Sequence, residues 1–189
     1  MRHPLLPFCL RRGRVPAALF VSCLLVGADA VLAQSQRRSG DVLATAMPLA
    51  TLGTELVRGD RAGAWQYTLT FAASMAGTEL LKRTIHVERP DGSNDQSFPS
   101  GHAARAFSAA AYVRRHHGWD VAWPMYVAAL YVGHTRVAAH RHRWGDVAGA
   151  ALLSEAAAWR LVEPRSDAKA FVTPAFDRRH VGMQIAARW

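Results

Sequence analysis

Apolar segments with helical spacing, separated by short polar stretches, occupy most of the chain between residues 41 and 162. Asp41 can cap the first segment, and Pro48 predicts a break or bend within it. Gly118 and Pro164 are typical residues after the ends of helices. The pattern predicts an all-α fold, a bundle of about five helices with a short C-terminal β-hairpin or strand. The predicted helices cover residues 41–57, 64–82, 101–117, 121–134 and 144–162.

The predicted helical segments are either too short or too polar to be typical membrane-spanning helices. After residue 33, residues 121–133 form the longest run without charged or strongly polar side chains, and a spanning helix needs about 20 apolar residues. Residues 64–82 are long enough, but they include Gln66 and Glu79. The sequence therefore favours a compact bundle, soluble or resting against a membrane, and leaves spanning helices as an alternative.

The first 33 residues have the organisation of a signal peptide. Arginines precede the apolar run 15–27, and Val31-Leu32-Ala33 supplies small residues before a cleavage point at Gln34. The alternative is a retained membrane anchor. A signal peptide predicts export to the periplasm or cell envelope. Both cysteines lie in this segment, so the mature chain is expected to lack disulfides and thiolate metal sites.

The C-terminal residues change from helical to alternating spacing. Along residues 181–189 apolar side chains alternate with small or polar ones, which is typical of a strand. Residues 171–173 can form its partner. We therefore expect a helical domain at residues 34–163 and a C-terminal extension at residues 164–189 with a β-hairpin.

The chain has a formal net charge of +9, mostly from arginines that are scattered along it. It has no recognised nucleic-acid motif, so a nucleic-acid partner is not expected. An anionic small substrate or an anionic membrane surface fits this distribution better.

Arg136, His142 and Asp146 have the spacing R-x5-H-x3-D. If a helix starts at Trp144, Asp146 can hold one nitrogen of the His142 imidazole and leave the other as a nucleophile or base. Arg136 would lie near the anion that the histidine attacks. Taken alone, such a trio is more often a set of surface residues.

Two further stretches can bind an anion. Lys82 is expected at a helix C-terminus and Arg89 in an extended segment before Pro90, so two cations point into one loop. In Pro99-Ser100-Gly101-His102, Ser100 is a good N-cap, and the following amides point out of a helix N-terminus. His102 would lie beside the bound anion and could give a proton to a leaving group.

Together these stretches resemble the three-part signature of the type 2 phosphatidic acid phosphatase superfamily. That superfamily includes bacterial class A acid phosphatases and vanadium haloperoxidases, and the resemblance covers residues 41–162. The third motif usually opens with Ser-Arg, whereas this chain has Thr135-Arg136. Because threonine keeps the hydroxyl group, we expect a modest effect.

The resemblance implies a phosphatase that forms a phosphohistidine on His142, with Asp146 fixing the ring. His102 would protonate the leaving group. The groups implied to hold the phosphoryl oxygens are Lys82, Arg89, Arg136 and the amides near Ser100 and Gly101. No metal and no other cofactor is implied, and vanadate should inhibit.

The substrate class and the rival functions remain open at the level of the sequence. Apolar helices beside the motifs favour a lipid phosphate, such as phosphatidate or an isoprenyl diphosphate, and membrane association. The alternatives are a soluble non-specific acid phosphatase, a vanadate-dependent haloperoxidase and a non-enzymatic envelope protein. His134, His140 and His142 could suggest a metal site, which the phosphatase motif makes unnecessary. His86, His116 and His117 are expected in solvent.

Overall fold

The computed structural model describes residues 17–164, 169–177 and 180–188, with side chains for residues 34–164. Its helices are α1 (Ala17–Val57), α2 (Arg61–Thr84), α3 (Gly101–His117), α4 (Trp119–Ala138) and α5 (Trp144–Leu161). The predicted five-helix bundle is confirmed. Two antiparallel strands follow, β1 (Lys169–Asp177) and β2 (His180–Arg188), with Lys169 opposite Arg188. The assignment of residues 164–189 as a separate extension stays a prediction.

Helix α1 begins earlier than predicted. It runs through Gln34 and Pro48 without interruption, so a start capped by Asp41 and a break at Pro48 are both wrong. The side chain of Asp41 contacts Arg136 of α4 instead of the end of its own helix. Residues 1–16, with the basic part of the predicted signal peptide, lie outside the described residues. Cleavage at Gln34 stays a prediction.

Helix α3 is the centre of the bundle because its side chains are small. It contacts each of the other four helices. Its alanines at 103, 104, 106, 109, 110 and 111 have no exposed surface. Small side chains let the backbones of neighbouring helices approach closely, and close packing of this kind stabilises a helical core. Tyr67 of α2 packs its ring 5.1 Å from that of Tyr112.

None of the helices in the described part is long and apolar enough to cross a membrane.

Two connections and one helix end meet at the same end of the bundle. The connection between α2 and α3 folds on itself, since the amide of Ser97 donates to the Val87 carbonyl oxygen at 2.9 Å. The Ser100 amide at the start of α3 donates to the Asp146 carbonyl oxygen at 3.1 Å. The first turn of α5 is thereby fixed beside the start of α3, and the three predicted motifs come together.

Candidate active site

His142 is positioned by the way α4 ends. His140 adopts a left-handed conformation with a φ of 54°. Its amide donates to the Val137 carbonyl oxygen at 2.9 Å, and the Arg141 amide donates to the Arg136 carbonyl oxygen at 3.1 Å. These bonds close the last turn of α4 and reverse the chain. His142 then lies directly before α5, buried with 5% of its surface exposed.

Asp146 lies in the first turn of α5, as the spacing predicted. Its Oδ2 accepts a hydrogen bond from the Arg143 amide at 2.8 Å and lies 3.4 Å from Nδ1 of His142. The contact with His142 is long for a hydrogen bond, which is common in catalytic pairs without substrate. Asp146 contacts Nδ1 of the imidazole, so Nε2 is the ring nitrogen that is left for the substrate.

Ser97 is a site residue that the sequence did not reveal. Its hydroxyl donates to Oδ2 of Asp146 at 2.5 Å, and the residue is completely buried. Asp146 is therefore oriented by donors on two sides, from Ser97 and from the Arg143 amide. Ser97 lies in a polar stretch, and nothing in the local sequence distinguishes it from Ser93 or Asn94.

Asp41 of α1 is the second residue that the motif pattern missed. Its Oδ1 lies 2.8 Å from a terminal nitrogen of Arg136 and 3.1 Å from Nε2 of His102. The other terminal nitrogen of Arg136 donates to the Arg37 carbonyl oxygen at 3.0 Å. Helix α1 thus orients both the arginine and the histidine. Asp41 is distant from both in sequence, so only the fold brings it into the site.

Gly40 allows α1 to approach this closely. A Cβ atom at this position would lie 2.1 Å from Oγ1 of Thr135 and 3.2 Å from a terminal nitrogen of Arg136. Real Cβ atoms do not make contacts at 2.1 Å. The absence of a side chain at Gly40 therefore brings Asp41 within reach of the guanidinium group.

Lys82 in the last turn of α2 and Arg89 in the connection between α2 and α3 lie close enough for their charges to interact. The Lys82 ammonium group donates to the Gln96 carbonyl oxygen at 2.7 Å. Burial, and then the charge of Arg89, lower the pKa of Lys82. Nε of Arg89 is buried and has no hydrogen-bond partner among the described residues. A buried donor without a partner suits an anion that arrives with the substrate.

The role predicted for the Ser100 amide needs a correction. That amide donates to the Asp146 carbonyl oxygen, so it is not available to an anion. The Ser100 hydroxyl does not cap α3 either, and it is buried without a hydrogen-bond partner in the described part of the chain. At Gly101 a Cβ atom would meet nothing within 4 Å. What remains here for an oxyanion is the Ser100 hydroxyl and the amides of Gly101 and His102 in the first turn of α3.

A cavity of about 430 Å³ opens over these groups. Four predicted site residues line it: Arg89, His102, Arg136 and His142. The other lining residues are Arg37, Asp41, Ala139 and Arg141. The remaining predicted residues, Lys82, Ser100, Gly101 and Asp146, are not among its lining residues. The cavity wall is rich in arginine, which favours an anionic ligand.

The pKa of His142 is lowered to about 4. Burial is the largest cause, and the positive charges of Lys82 and Arg89 act in the same direction. Asp146 and the backbone of Ser97 oppose the shift without cancelling it. The imidazole is therefore neutral near pH 7 and keeps a lone pair for attack.

The pKa of His102 is also lowered, first by burial and then by the charge of Arg136. The carboxylate of Asp41 opposes this shift. Each histidine has two cations and a carboxylate among the groups that shift its pKa: Arg136, Arg105 and Asp41 for His102, and Lys82, Arg89 and Asp146 for His142. Two histidines with shifted pKa values in one cavity are typical of a functional site.

One expectation about the other histidines is wrong. His116 and His117 were expected in solvent, but His116 is 5% exposed and the His117 side chain 10% exposed. Both lie at the C-terminal end of α3, where α1 and the start of α2 cover them. His86 is exposed as expected.

Comparison with known proteins agrees with the motifs. The family model described as the PAP2 superfamily matches residues 63–168. A lipid A 4'-phosphatase of Helicobacter pylori (strain J99 / ATCC 700824) is 38% identical over 60 residues, which is 32% of this chain and 30% of that protein. The match therefore spans less than a third of the curated relative.

The crystal structure of Aquifex aeolicus LpxE has the same fold. The two structures superpose with a TM-score of 0.60 at 18% sequence identity, over 70% of this chain and 86% of the other. At this identity the likeness concerns the fold alone. Because the family model matches more than half of the sequence, this chain belongs to the PAP2 superfamily.

Proposed function

We propose that this protein is a phosphatase that hydrolyses phosphate esters of membrane lipids through a phosphohistidine formed on His142. The observation that carries the proposal is the position of a neutral, buried imidazole in a cavity lined by Arg89 and Arg136. A second imidazole, His102, lines the same cavity. A nucleophile, an acid and cations for the phosphoryl oxygens are thus available within one cavity.

In the first step, Nε2 of His142 attacks phosphorus while the bond from phosphorus to the leaving oxygen breaks. Asp146 supports the positive charge that develops on the ring, and Ser97 and the Arg143 amide keep its carboxylate in place. His102 gives its proton to the leaving oxygen. In the second step, water attacks the phosphorus of the phosphohistidine, and His102 takes a proton from that water. The bond from phosphorus to Nε2 breaks, which releases phosphate and restores His142.

The phosphoryl oxygens are held by groups that lack other partners or carry positive charge. These are Lys82, Arg89, Arg136, the Ser100 hydroxyl and the Gly101 amide. Because they are fixed before substrate binds, they stabilise the charge that develops in the transition state. Arg136 is the most firmly held, since Asp41 and the Arg37 carbonyl oxygen both contact it.

An apolar groove next to the cavity supports a lipid substrate. A shallow depression of about 440 Å³ is lined by Asp41, Val42, Thr45, Ala46 and Leu49. It shares Thr45 and Leu49 with a second depression of about 340 Å³ that includes Phe71 and Met75. Asp41 lines both the cavity and the groove, so a phosphate in the cavity leaves its apolar chain beside α1. The lipid A 4'-phosphatase among the relatives points to the same substrate class.

We further propose that the enzyme is exported and acts at the cell envelope. Cleavage at Gln34 would keep every α1 residue that contacts the site, from Arg37 to Leu49. Export is tested by fusing residues 1–40 to a reporter that is active only in the periplasm. A reporter that remained inactive would remove this part of the proposal.

The substrate class is tested by turnover of a phosphate panel with the purified chain. We expect a higher kcat/KM for lipid phosphates in mixed micelles than for p-nitrophenyl phosphate or nucleotides. Equal or faster turnover of the water-soluble esters would favour a non-specific acid phosphatase.

The intermediate is tested separately by rapid quenching with radiolabelled substrate. The wild type should retain label that is stable to base and labile to acid, as expected of phosphohistidine. His142→Ala should retain none. Label that persisted in His142→Ala would contradict the assignment of the nucleophile.

A further inference from the structure

A second group of histidines and carboxylates lies at the end of α3 that is far from the active site. Glu55 comes from the end of α1, and His116 and His117 from the last turn of α3. One donor atom from each residue lies within 4.8 Å of the others. From His102 to His117 the helix rises roughly 22 Å, so this cluster is separate from the phosphatase site.

Glu55 carries a carboxylate whose charge is only partly compensated. The residue is 1% exposed, and its Oε1 lies 2.6 Å from Nε2 of His117. Its Oε2 is buried and has no hydrogen-bond partner among the described residues. A terminal nitrogen of the half-exposed Arg58 lies 3.9 Å from Oε1 of Glu55 and 3.2 Å from Nε2 of His117. A buried carboxylate oxygen without a partner costs free energy unless a proton or a cation accompanies it.

His116 is held in the way that metal-binding histidines commonly are. Its Nδ1 lies 3.0 Å from the Glu163 carbonyl oxygen, which can only accept a hydrogen bond. A neutral ring must then carry its proton on Nδ1, so the lone pair of Nε2 faces Oδ2 of Asp60 at 3.1 Å. Two acceptors in contact need a proton or a metal ion between them. A backbone carbonyl oxygen on the second ring nitrogen is a frequent partner of such ligands.

We propose that Glu55, His116 and His117 bind a divalent transition-metal ion of the zinc class. Two imidazoles and a carboxylate form a donor set that zinc accepts, with ligand bonds of about 2.0–2.2 Å. The ion joins the end of α1 to the end of α3. A cavity of about 220 Å³ lined by Glu55, Arg58 and His117 gives it access. Its role is structural, because no substrate group reaches it.

The test is zinc binding by the full chain, produced without a polyhistidine tag and stripped of metal with a chelator. We expect one zinc ion per wild-type chain by equilibrium dialysis. Glu55→Gln and His117→Ala should weaken binding on the order of 100-fold. Two controls should bind like the wild type: His86→Ala removes an exposed histidine, and His142→Ala removes the active-site imidazole. The same binding in Glu55→Gln, or its loss in His142→Ala, would overturn the proposal.

A second measurement uses only the wild type, so its result does not depend on whether the variants fold. Cobalt(II) should give the intense visible absorption of a four-coordinate site, and zinc should displace it and raise the unfolding temperature. Weak octahedral absorption with no change in unfolding temperature would contradict the metal site. It would mean that protons alone balance the negative charge of the buried carboxylate. Because none of these readouts uses phosphatase activity, the proposal can fail independently of the proposed function.

Discussion

Asp41 connects the arginine that is expected to hold phosphate with the histidine that is expected to act as the acid. Its carboxylate contacts Arg136 and His102 through the same oxygen. It is half-exposed at the mouth of the cavity, so it influences both groups without occupying the core. The pH dependence of kcat/KM measures this influence, since that parameter reports groups of the unliganded enzyme.

The wild type should have an acidic optimum. His142 must be deprotonated to attack, which requires a pH above about 4. His102 must be protonated to act as the acid, which requires a pH below its lowered pKa, and its ordinary value is 6.5. Activity should therefore be lost on both sides of that window. Asp41→Asn removes a group that raises the pKa of His102, so the alkaline limb should move to lower pH.

The control for this prediction is Asp120→Asn, which removes an exposed carboxylate in the first turn of α4 at the other end of the bundle. It should leave both limbs in place. An alkaline limb that stayed fixed in Asp41→Asn would show that the carboxylate does not act through His102.

Ser97 should affect the rate through the orientation of Asp146. Ser97→Ala removes a donor to Oδ2, and kcat should fall about 10-fold with little change in KM. Asp146→Asn should lower kcat more than Ser97→Ala does, and His142→Ala should lower kcat by at least ~1,000-fold. Ser93→Ala, in the same connection but exposed, is the control for Ser97→Ala. Equal rates for Ser97→Ala and Ser93→Ala would leave Ser97 with only a packing role.

At the level of helices, the contact between α1 and α4 depends on Gly40. Gly40→Ala would place Cβ 2.1 Å from Oγ1 of Thr135, so α1 must shift. We expect a loss of about 1–3 kcal/mol in the free energy of unfolding. Activity should fall as well, because Arg136 loses the carbonyl oxygen of Arg37 and the carboxylate of Asp41.

Gly53 offers a matched control in the same helix, since a Cβ atom there would meet nothing within 4 Å. Gly53→Ala should raise the free energy of unfolding by about 0.5–1 kcal/mol through helix propensity. Chemical denaturation of both variants measures the difference. If both alanines stabilised the protein, the close approach of α1 to α4 would be wrong.

Most helix bounds followed from local signals, and the errors have local causes. Helix α3 begins at Gly101 and ends before Gly118 as predicted, although the Ser100 side chain makes no capping hydrogen bond. The start of α1 was wrong because an aspartate after serine and glycine resembles a cap. The end of α4 was predicted too early. The helix ends where His140 adopts a left-handed φ, and histidine is not a residue whose presence predicts that conformation.

The candidate site was predictable where its residues belong to short motifs. His142 and Asp146 could be paired from spacing because one helix start carries both. Asp41 and Ser97 could not, because their contacts join segments that are distant along the chain. The same limitation applies to His116, whose burial results from packing against α1 and the start of α2.

Considered as a whole, the molecule combines an arginine-lined cavity with apolar side chains that remain on its surface. Val42 and Leu49 of α1 are both more than half exposed beside the cavity. Exposed apolar side chains next to a binding site are typical of surfaces that contact a ligand or a membrane. In this chain they continue the groove that leads away from Asp41.

The last prediction tests whether that groove selects lipid substrates. Leu49→Asp places a charge where the acyl chain is proposed to lie, so kcat/KM for a lipid phosphate in mixed micelles should fall at least ~10-fold. Turnover of p-nitrophenyl phosphate should stay unchanged, because the phosphate cavity is intact. Leu152→Asp is the matched control, since Leu152 of α5 is 71% exposed and Leu49 is 65% exposed. An equal fall for both variants would assign the effect to general surface hydrophobicity, and no fall for Leu49→Asp would remove the groove from substrate recognition.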